Sequence, residues 1–410
     1  MSCWDNPSLR YVKSLGADFI WYTGIPRHAT GKDFVKGNPG SPYSISDWKD
    51  VNPYLADDPR KRMEEFSSLV SRTHENGLGC IIDFIPNHVA KDYKGGLDHF
   101  DFCDYDWTDT LKVNWNSASS VSEAEEILRF WASRGVDGFR CDMVELVSAD
   151  VLAGLIKAVK KEFPRLLFIA EVYNRDNYRK YTQAGFDLLY DKSGTYDILR
   201  SISCHGKSAR ELTWNWQYLS DLQPRMLNFL ENHDEQRLAS PFFSGSPDRT
   251  WAALAYALLF GEASFMLYFG QEAGENASEG HEGRTSIFEW SSPRTIGHLY
   301  GQIHSGTGLT EEESAVLARY RELLSLASTP LFRAGKCWDL CYCQNPGGGF
   351  LPDSHTAFLR YDSSQACAVV CNFSDEPLLA DIFIPTEPLG KEMHLHVRAE
   401  ARDCAVITVS

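Results

Sequence analysis

Four short stretches carry residue types that could do chemistry together. Asp83, Asn87 and His88 close one apolar run, and Arg140 and Asp142 lie at the end of a second. Glu171 ends a third, and Asn232, His233 and Asp234 follow a fourth. Charged side chains are rarely buried without partners, so acids at the ends of apolar runs need a reason to be there. A pair of carboxylates can divide one reaction between them. In glycoside cleavage one attacks the anomeric carbon and the other protonates the departing oxygen. Histidines beside them can hydrogen-bond sugar hydroxyls, and an arginine favours an ionised carboxylate. Taken singly, each acid is explained as well by a helix cap or a lysine partner. Four loaded run ends in succession are not.

The elements that must position these residues alternate. Strand-like runs cover 16–23, 80–85, 136–143, 166–173, 186–190, 227–230 and 264–269, and helical patterns cover 60–76, 122–133, 149–161 and 251–260. Such alternation predicts parallel strands joined by crossover helices. The expected fold is α/β, a (β/α)8 TIM-type barrel whose first strand is not evident, because the chain opens on what reads as a helix tail at 7–15. In such a barrel the C-terminal strand ends all face one way, so the four loaded ends would converge on one cleft. Segments 24–59 and 89–120 read as long irregular stretches, which are usually functional or mobile. After Arg333 short strand-like runs separated by Gly, Pro, Asp, Asn and Ser predict a C-terminal antiparallel β-sandwich domain. The expected organisation is a catalytic barrel over 1–330, with a short insertion at about 89–118 after the third strand, and a sandwich over 331–410.

Composition narrows the class. The chain has 410 residues, 43% of them hydrophobic and 13% aromatic, enough for a large domain and a smaller one. Its net charge of −16 argues against nucleic-acid or anionic-membrane partners. No apolar stretch reaches membrane-spanning length, and no signal peptide is visible. The expected location is cytoplasmic as the chain stands, or secreted or periplasmic if the N-terminus has been shortened. Eleven scattered cysteines, with Cys80, Cys141 and Cys371 inside apolar runs, read as reduced core thiols. Cys341 and Cys343 have a poor metal spacing without further partners.

The four stretches resemble, in order, the four signature regions of the α-amylase family of glycoside hydrolases (family 13). Asp83-Phe84-Ile85-Pro86-Asn87-His88 is similar to the first and Gly138-Phe139-Arg140-Cys141-Asp142 to the second. Glu171-Val172-Tyr173 is similar to the third and Phe229-Leu230-Glu231-Asn232-His233-Asp234 to the fourth. The resemblance implies a retaining mechanism on α-glucosidic bonds of starch-like α-glucans or maltooligosaccharides. By position it implies Asp142 as nucleophile, Glu171 as general acid/base and Asp234 as transition-state stabiliser. Arg140 would orient Asp142, and His88 and His233 would contact the reactive sugar. Tyr43 resembles the family's sugar-stacking tyrosine, although Pro42 replaces the glycine expected before it. Glu171 would have to start protonated, which burial and neighbouring carboxylates favour.

Two departures bear on metals and substrates. Calcium-dependent members carry Lys-His after the nucleophile strand, where this chain has Glu145-Leu146. Asn87 alone matches another calcium position, so no calcium or other cofactor is expected. The short insertion leaves the number of sugar subsites open. Transfer of the glycosyl unit to a sugar acceptor, or a non-catalytic carbohydrate-binding or partner barrel, are the alternatives. The presence of all three carboxylates favours the enzyme. A chain that opens beyond the family's first strand is expected to be an N-terminally shortened member.

Overall fold

Asp5 starts the regular structure. Its side chain accepts from the backbone N–H of Ser8 at 3.0 Å and caps helix α1, Asn6–Ser14, with Pro7 in the first turn. The computed structural model describes residues 1–37, 39–279, 283–285 and 292–409. Their contacts divide the chain into two units, Met1–Tyr190 and Asp191–Thr285 with Ser292–Ser410.

In the first unit strands and helices alternate. They are β1 (Phe19–Tyr22), α2 (Arg62–Glu75), β2 (Gly79–Phe84), α3 (Ala118–Ala132), β3 (Gly138–Cys141), α4 (Ala149–Lys160), β4 (Leu167–Ala170), α5 (Tyr178–Gln183) and β5 (Leu188–Tyr190). The five strands pair in parallel in that order, with Asp83 opposite Arg140 and Cys141 opposite Ala170. Helix α3 buries Ala124, Ile127, Leu128 and Trp131, one stripe at helical spacing. The Trp131 indole N–H also donates to the Trp48 carbonyl at 2.8 Å. Gly135, at φ 88°, makes the turn from α3 into β3, and a Cβ there would come within 2.9 Å of Val70. Gly138 opens β3 where a Cβ would meet the Leu167 carbonyl at 3.0 Å. Every residue of β3 is buried, as expected of a parallel strand covered on both faces.

The second unit contains α6 (Asp197–His205), α7 (Arg210–Leu219), β6 (Met226–Phe229), α8 (Trp251–Leu259), β7 (Ser264–Met266), α9 (Arg294–Ser305), α10 (Glu311–Ala327) and α11 (Pro330–Ala334). Strands β6 and β7 are parallel. A capping box starts α10: Thr310 and Glu313 each bind the other's backbone N–H. The strands β8 (Lys336–Asp339), β9 (His355–Tyr361), β10 (Ala366–Asn372) and β13 (Cys404–Val409) then form an antiparallel sheet. The pair β11 (Leu378–Ile384) and β12 (Met393–Ala399) packs with it around Leu359, Val370, Ile382, Ile384 and Val397. This is the expected C-terminal β-domain.

Three local expectations are corrected. Segment 24–59 is not loop throughout, because Pro26–His28 pairs antiparallel with Ile45–Val51. Likewise, in the stretch after β2, His88–Ala90 pairs with Thr110–Lys112. These strands are short and rich in polar residues, so no apolar alternation announced them. The first strand-like run after Arg333, read from the sequence as 337–343, stops as a strand at Asp339, whose carboxylate accepts from the backbone N–H of Cys341 at 2.7 Å and bends the chain into a turn. All eleven cysteines are free, and Cys80, Cys141 and Cys371 are buried. Among the described residues no helix is long and apolar enough to cross a membrane.

Candidate active site

Strand β3 and the residue after it deliver two opposite charges to one side. Arg140 and Asp142 are two apart, so their side chains project alike from extended chain. Arg140 is fully buried, and its Nη1 donates to Asp142 Oδ1 at 2.5 Å. Its Nη2 lies 2.7 Å from Glu171 Oε1, and Nη1 lies 3.6 Å from Asp83 Oδ1. Nε donates to the Tyr190 hydroxyl at 3.3 Å. The rings of Trp21, Tyr190 and Tyr43 stand 5.1, 5.5 and 5.7 Å from the guanidinium carbon. One cation therefore ties together groups from β1 through β5 and from the segment bearing Tyr43. Burial alone would make Arg140 easier to deprotonate. Glu171, Tyr190 and Asp142 outweigh it and hold the guanidinium above its ordinary value.

Asp83 sits beneath this cation. Burial pushes its carboxyl up to about 7, against the pull of Arg140 and the Trp21 indole. That indole N–H donates to Asp83 Oδ2 at 3.0 Å.

Glu171 follows β4 and is almost wholly buried. Its Oε2 accepts from the Met143 backbone N–H at 2.8 Å, and its Oε1 accepts from the Tyr173 hydroxyl at 3.0 Å. Donors to a carboxylate favour its ionised form. The Arg140 guanidinium stands beside the same Oε1, 2.7 Å away. Met143 aims its N–H from a left-handed backbone, φ 42° and ψ 45°. That conformation costs a non-glycine residue roughly 1–2 kcal/mol.

His88 Nε2 lies 3.1 Å from the Tyr43 carbonyl oxygen, and its ring packs 5.2 Å from Trp107. Burial lowers His88 to about 4, against Asp109 and the Tyr43 carbonyl, so the imidazole is neutral near pH 7.

In the second unit His233 and Asp234 sit in a tight turn after β6. The Asn232 side chain accepts from the backbone N–H groups of Asp234 and Glu235, both at 2.9 Å. His233 Nε2 lies 3.1 Å from Asp234 Oδ2, and Arg284 Nη1 lies 3.9 Å from Asp234 Oδ1. The Asp234 side chain is 36% exposed, against 11% for Asp142 and 3% for Glu171, so it is the wettest of the three acids. Glu231 anchors the turn from below. It accepts from Arg237 at 2.9 Å and from the Leu238 N–H at 2.7 Å, and burial pushes it up to about 7.

The first unit thus gathers Tyr43, His88, Arg140, Asp142 and Glu171, and the second carries His233 and Asp234. Sequence reading passed over Trp21, Met143, Tyr173 and Tyr190. Only Tyr173 had a usable signal: in extended chain, a residue two after Glu171 shares its side.

The family described as "Alpha amylase, catalytic domain" matches residues 7–109 and 101–291. Alpha-amylase 3 of Dictyoglomus thermophilum is 22% identical over 381 residues, 78% of this chain and 71% of that protein. Amino acid transporter heavy chain SLC3A1 of Homo sapiens is 26% identical over 239 residues, 47% of this chain. This chain spans only 31% of that heavy chain's length. An alpha-amylase structure from Geobacillus thermoleovorans, complexed with acarbose, superimposes with a TM-score of 0.74 at 17% identity, covering 98% of this chain and 90% of that one. The fold is therefore that of a (β/α) barrel with a C-terminal β-domain. With the family match running from residue 7 to residue 291, the chain belongs to the alpha-amylase family.

Proposed function

We propose that this chain is a retaining glycoside hydrolase acting on α-glucosidic bonds of starch-like α-glucans or maltooligosaccharides. The observation that carries the reading is the Arg140 guanidinium held between Asp142 and Glu171 at the ends of adjacent parallel strands. Strand ends of this kind are where barrel enzymes keep their chemistry.

Asp142 is the nucleophile. Arg140 keeps it ionised and fixes its direction, and an ionised carboxylate is what attacks an anomeric carbon. Glu171 is the general acid/base. As the bond from Asp142 to the anomeric carbon forms, the glycosidic C–O bond breaks and the Glu171 proton passes to the departing oxygen. In the second half Glu171 takes a proton from water, whose oxygen displaces Asp142 from the sugar. Asp234 faces the positive charge that develops on the ring. His88 and His233 hydrogen-bond the reactive sugar, and Tyr43 stacks on it. The acceptor in the second half, water or another sugar, is read from the products.

The chain's own residues do not fit the calcium ion that many family members hold. The Asn87 amide donates to Asp104 at 3.0 Å, and Asp104 is paired with the Lys112 ammonium at 3.0 Å. Glu145 is equally engaged, accepting from the N–H groups of Tyr173 and Asn174 and from the Asn177 amide. A second cation beside Lys112 would be repelled. The proposed mechanism therefore runs without a metal.

The test is to incubate the chain with maltoheptaose and follow the products by proton NMR. The α-anomer should appear first, and Asp142→Asn should abolish it. Initial release of the β-anomer, or no turnover of maltoheptaose, starch or isomaltose by the parent, would sink the reading.

A further inference from the structure

Glu171 is held from two sides, and one side ends on a residue with no role so far. Met143 N–H reaches one carboxylate oxygen and the Tyr173 hydroxyl reaches the other. Tyr173 is itself fixed. Its backbone N–H donates to Glu145 Oε2 at 2.8 Å, and the next N–H, of Asn174, donates to the same oxygen at 3.1 Å. The Asn177 amide donates to the other Glu145 oxygen at 2.6 Å. Glu145 lies three residues after Asp142, so the segment leaving the nucleophile strand clamps the segment leaving the acid strand.

We propose, resting on the reading of Glu171 as general acid/base, that Tyr173 is a positioning residue for it, anchored by Glu145. The hydroxyl orients the Glu171 carboxyl and stabilises the carboxylate left behind once the proton has gone to the glycosidic oxygen. It makes no bond to the sugar. Its contribution is largest where the leaving group most needs that proton.

The sign of the pH effect follows. Glycosylation needs Glu171 protonated, so kcat/KM falls as pH rises through its titration. A donor to the carboxylate favours ionisation and pulls that alkaline limb down. Removing the donor must move the limb up. The other groups facing Glu171 are Arg140 and Asp142 from the β3 segment and Tyr190 from β5, with Asp83 of β2 behind the guanidinium. None changes in the variant, so the movement reports Tyr173 alone.

The experiment measures kcat/KM against pH for the parent, Tyr173→Phe and Glu145→Ala, on maltopentaose and on 2-chloro-4-nitrophenyl α-maltotrioside. The second probe has an acidic leaving group that departs with little help from a proton. For Tyr173→Phe the alkaline limb on maltopentaose should move up by about one pH unit, the size of one hydrogen bond to a charged group. The plateau should fall about tenfold on maltopentaose and stay within about twofold on the aryl glycoside. Glu145→Ala should move the limb in the same direction by a smaller amount, because it loosens Tyr173 without removing its hydroxyl. An unmoved limb in Tyr173→Phe, or equal losses on both probes, would overturn the proposal. Glu171→Gln separates the two levels of the argument. If that variant keeps full activity on maltopentaose, the assignment of Glu171 is wrong and the role of Tyr173 goes with it. If Glu171→Gln is inactive while Tyr173→Phe keeps the parent's limb, only the role of Tyr173 fails.

Discussion

Arg140 donates to Asp142 at 2.5 Å from two positions earlier in the chain, with its guanidinium fully buried. Burying a cation is costly, and here two close carboxylates offset it, Asp142 and Glu171, with Asp83 at 3.6 Å behind them. The same arginine is therefore both a support of the fold and a tool of the proposed chemistry, and variants should separate the two. Asp142→Asn keeps size and packing, so it should abolish turnover while the melting temperature stays close to the parent's. Arg140→Ala leaves Asp142 and Glu171 without their cation, and should cost roughly 3–5 kcal/mol of stability as well as activity. Urea unfolding alongside assays on maltopentaose checks both. Substantial turnover by a clean Asp142→Asn preparation would remove the nucleophile assignment.

Asp83 gives a stability signature with a definite sign. Its carboxyl is raised to about 7 by burial, from an ordinary 3.8. Between those values the folded state holds a proton that the unfolded state has released. The contribution of Asp83 is thus fully present below about pH 4 and is lost as pH rises toward 7. Asp83→Asn has no such dependence. The parent should lose stability relative to Asp83→Asn across this window, by on the order of 4 kcal/mol at most. His88 runs the other way: its pKa is lowered to about 4, so its contribution is present above the ordinary 6.5 and is lost as pH falls. Because the comparison is with Asp83→Asn, the His88 effect cancels. Parallel stability curves for the two proteins from pH 4 to pH 7 would contradict the burial argument.

Legibility in the sequence followed sequence distance and residue type. Asp142 and Glu171 could be picked out because each ends an apolar run, where a charge is conspicuous. Seven parallel strands were likewise visible as seven apolar runs, five in the first unit and two in the second. Tyr173 was not conspicuous by type, since an aromatic residue at a strand end reads as core, and only its spacing of two from Glu171 marked it. Nothing in the type of Met143 announces a left-handed backbone, because methionine does not favour positive φ. The pairing of Asp104 with Lys112 and Asn87 depends on how Thr110–Lys112 folds back on His88–Ala90, and those strands carried no alternation to read. The clamp of Glu145 on Tyr173 spans 28 residues and two strand ends, so only the fold brings it together.

The turn bearing Asp234 rests on a buried pair. Arg237 and Glu231 are 2.9 Å apart with side chains 2% exposed each, and Arg237 also donates to Thr285 and to the Phe269 carbonyl. Arg237→Met should cost about 3–5 kcal/mol, because Glu231 is left buried without its partner. Replacing both, as Glu231→Leu with Arg237→Met, should recover most of that loss, since an apolar pair of similar volume needs no charge balance. Activity should not recover with stability, because Glu231 also holds the Leu238 N–H that closes the turn. Equal stability of the single and double variants would show that the pair does not act as a unit.

The Lys112–Asp104 pair makes the proposed independence from calcium testable in two ways. Burial would raise the Asp104 carboxyl, but the hydrogen bonds from Asn87 and Lys112 outweigh it and hold the group below its ordinary value. A carboxyl lowered in this way contributes stability above its unfolded value, and that stability is lost as pH falls through the folded one. Lys112→Met removes the ammonium and keeps the stem. It should cost about 1 kcal/mol at neutral pH, in keeping with a partly exposed pair. The difference from the parent should shrink as pH drops below about 4, where the Asp104 carboxyl protonates in the unfolded chain. Dialysis against a chelator should leave the parent's melting temperature and its turnover of maltopentaose unchanged. A fall of several degrees on chelation, restored by calcium and not by magnesium, would mean that Asp104 and Asn87 serve a metal after all.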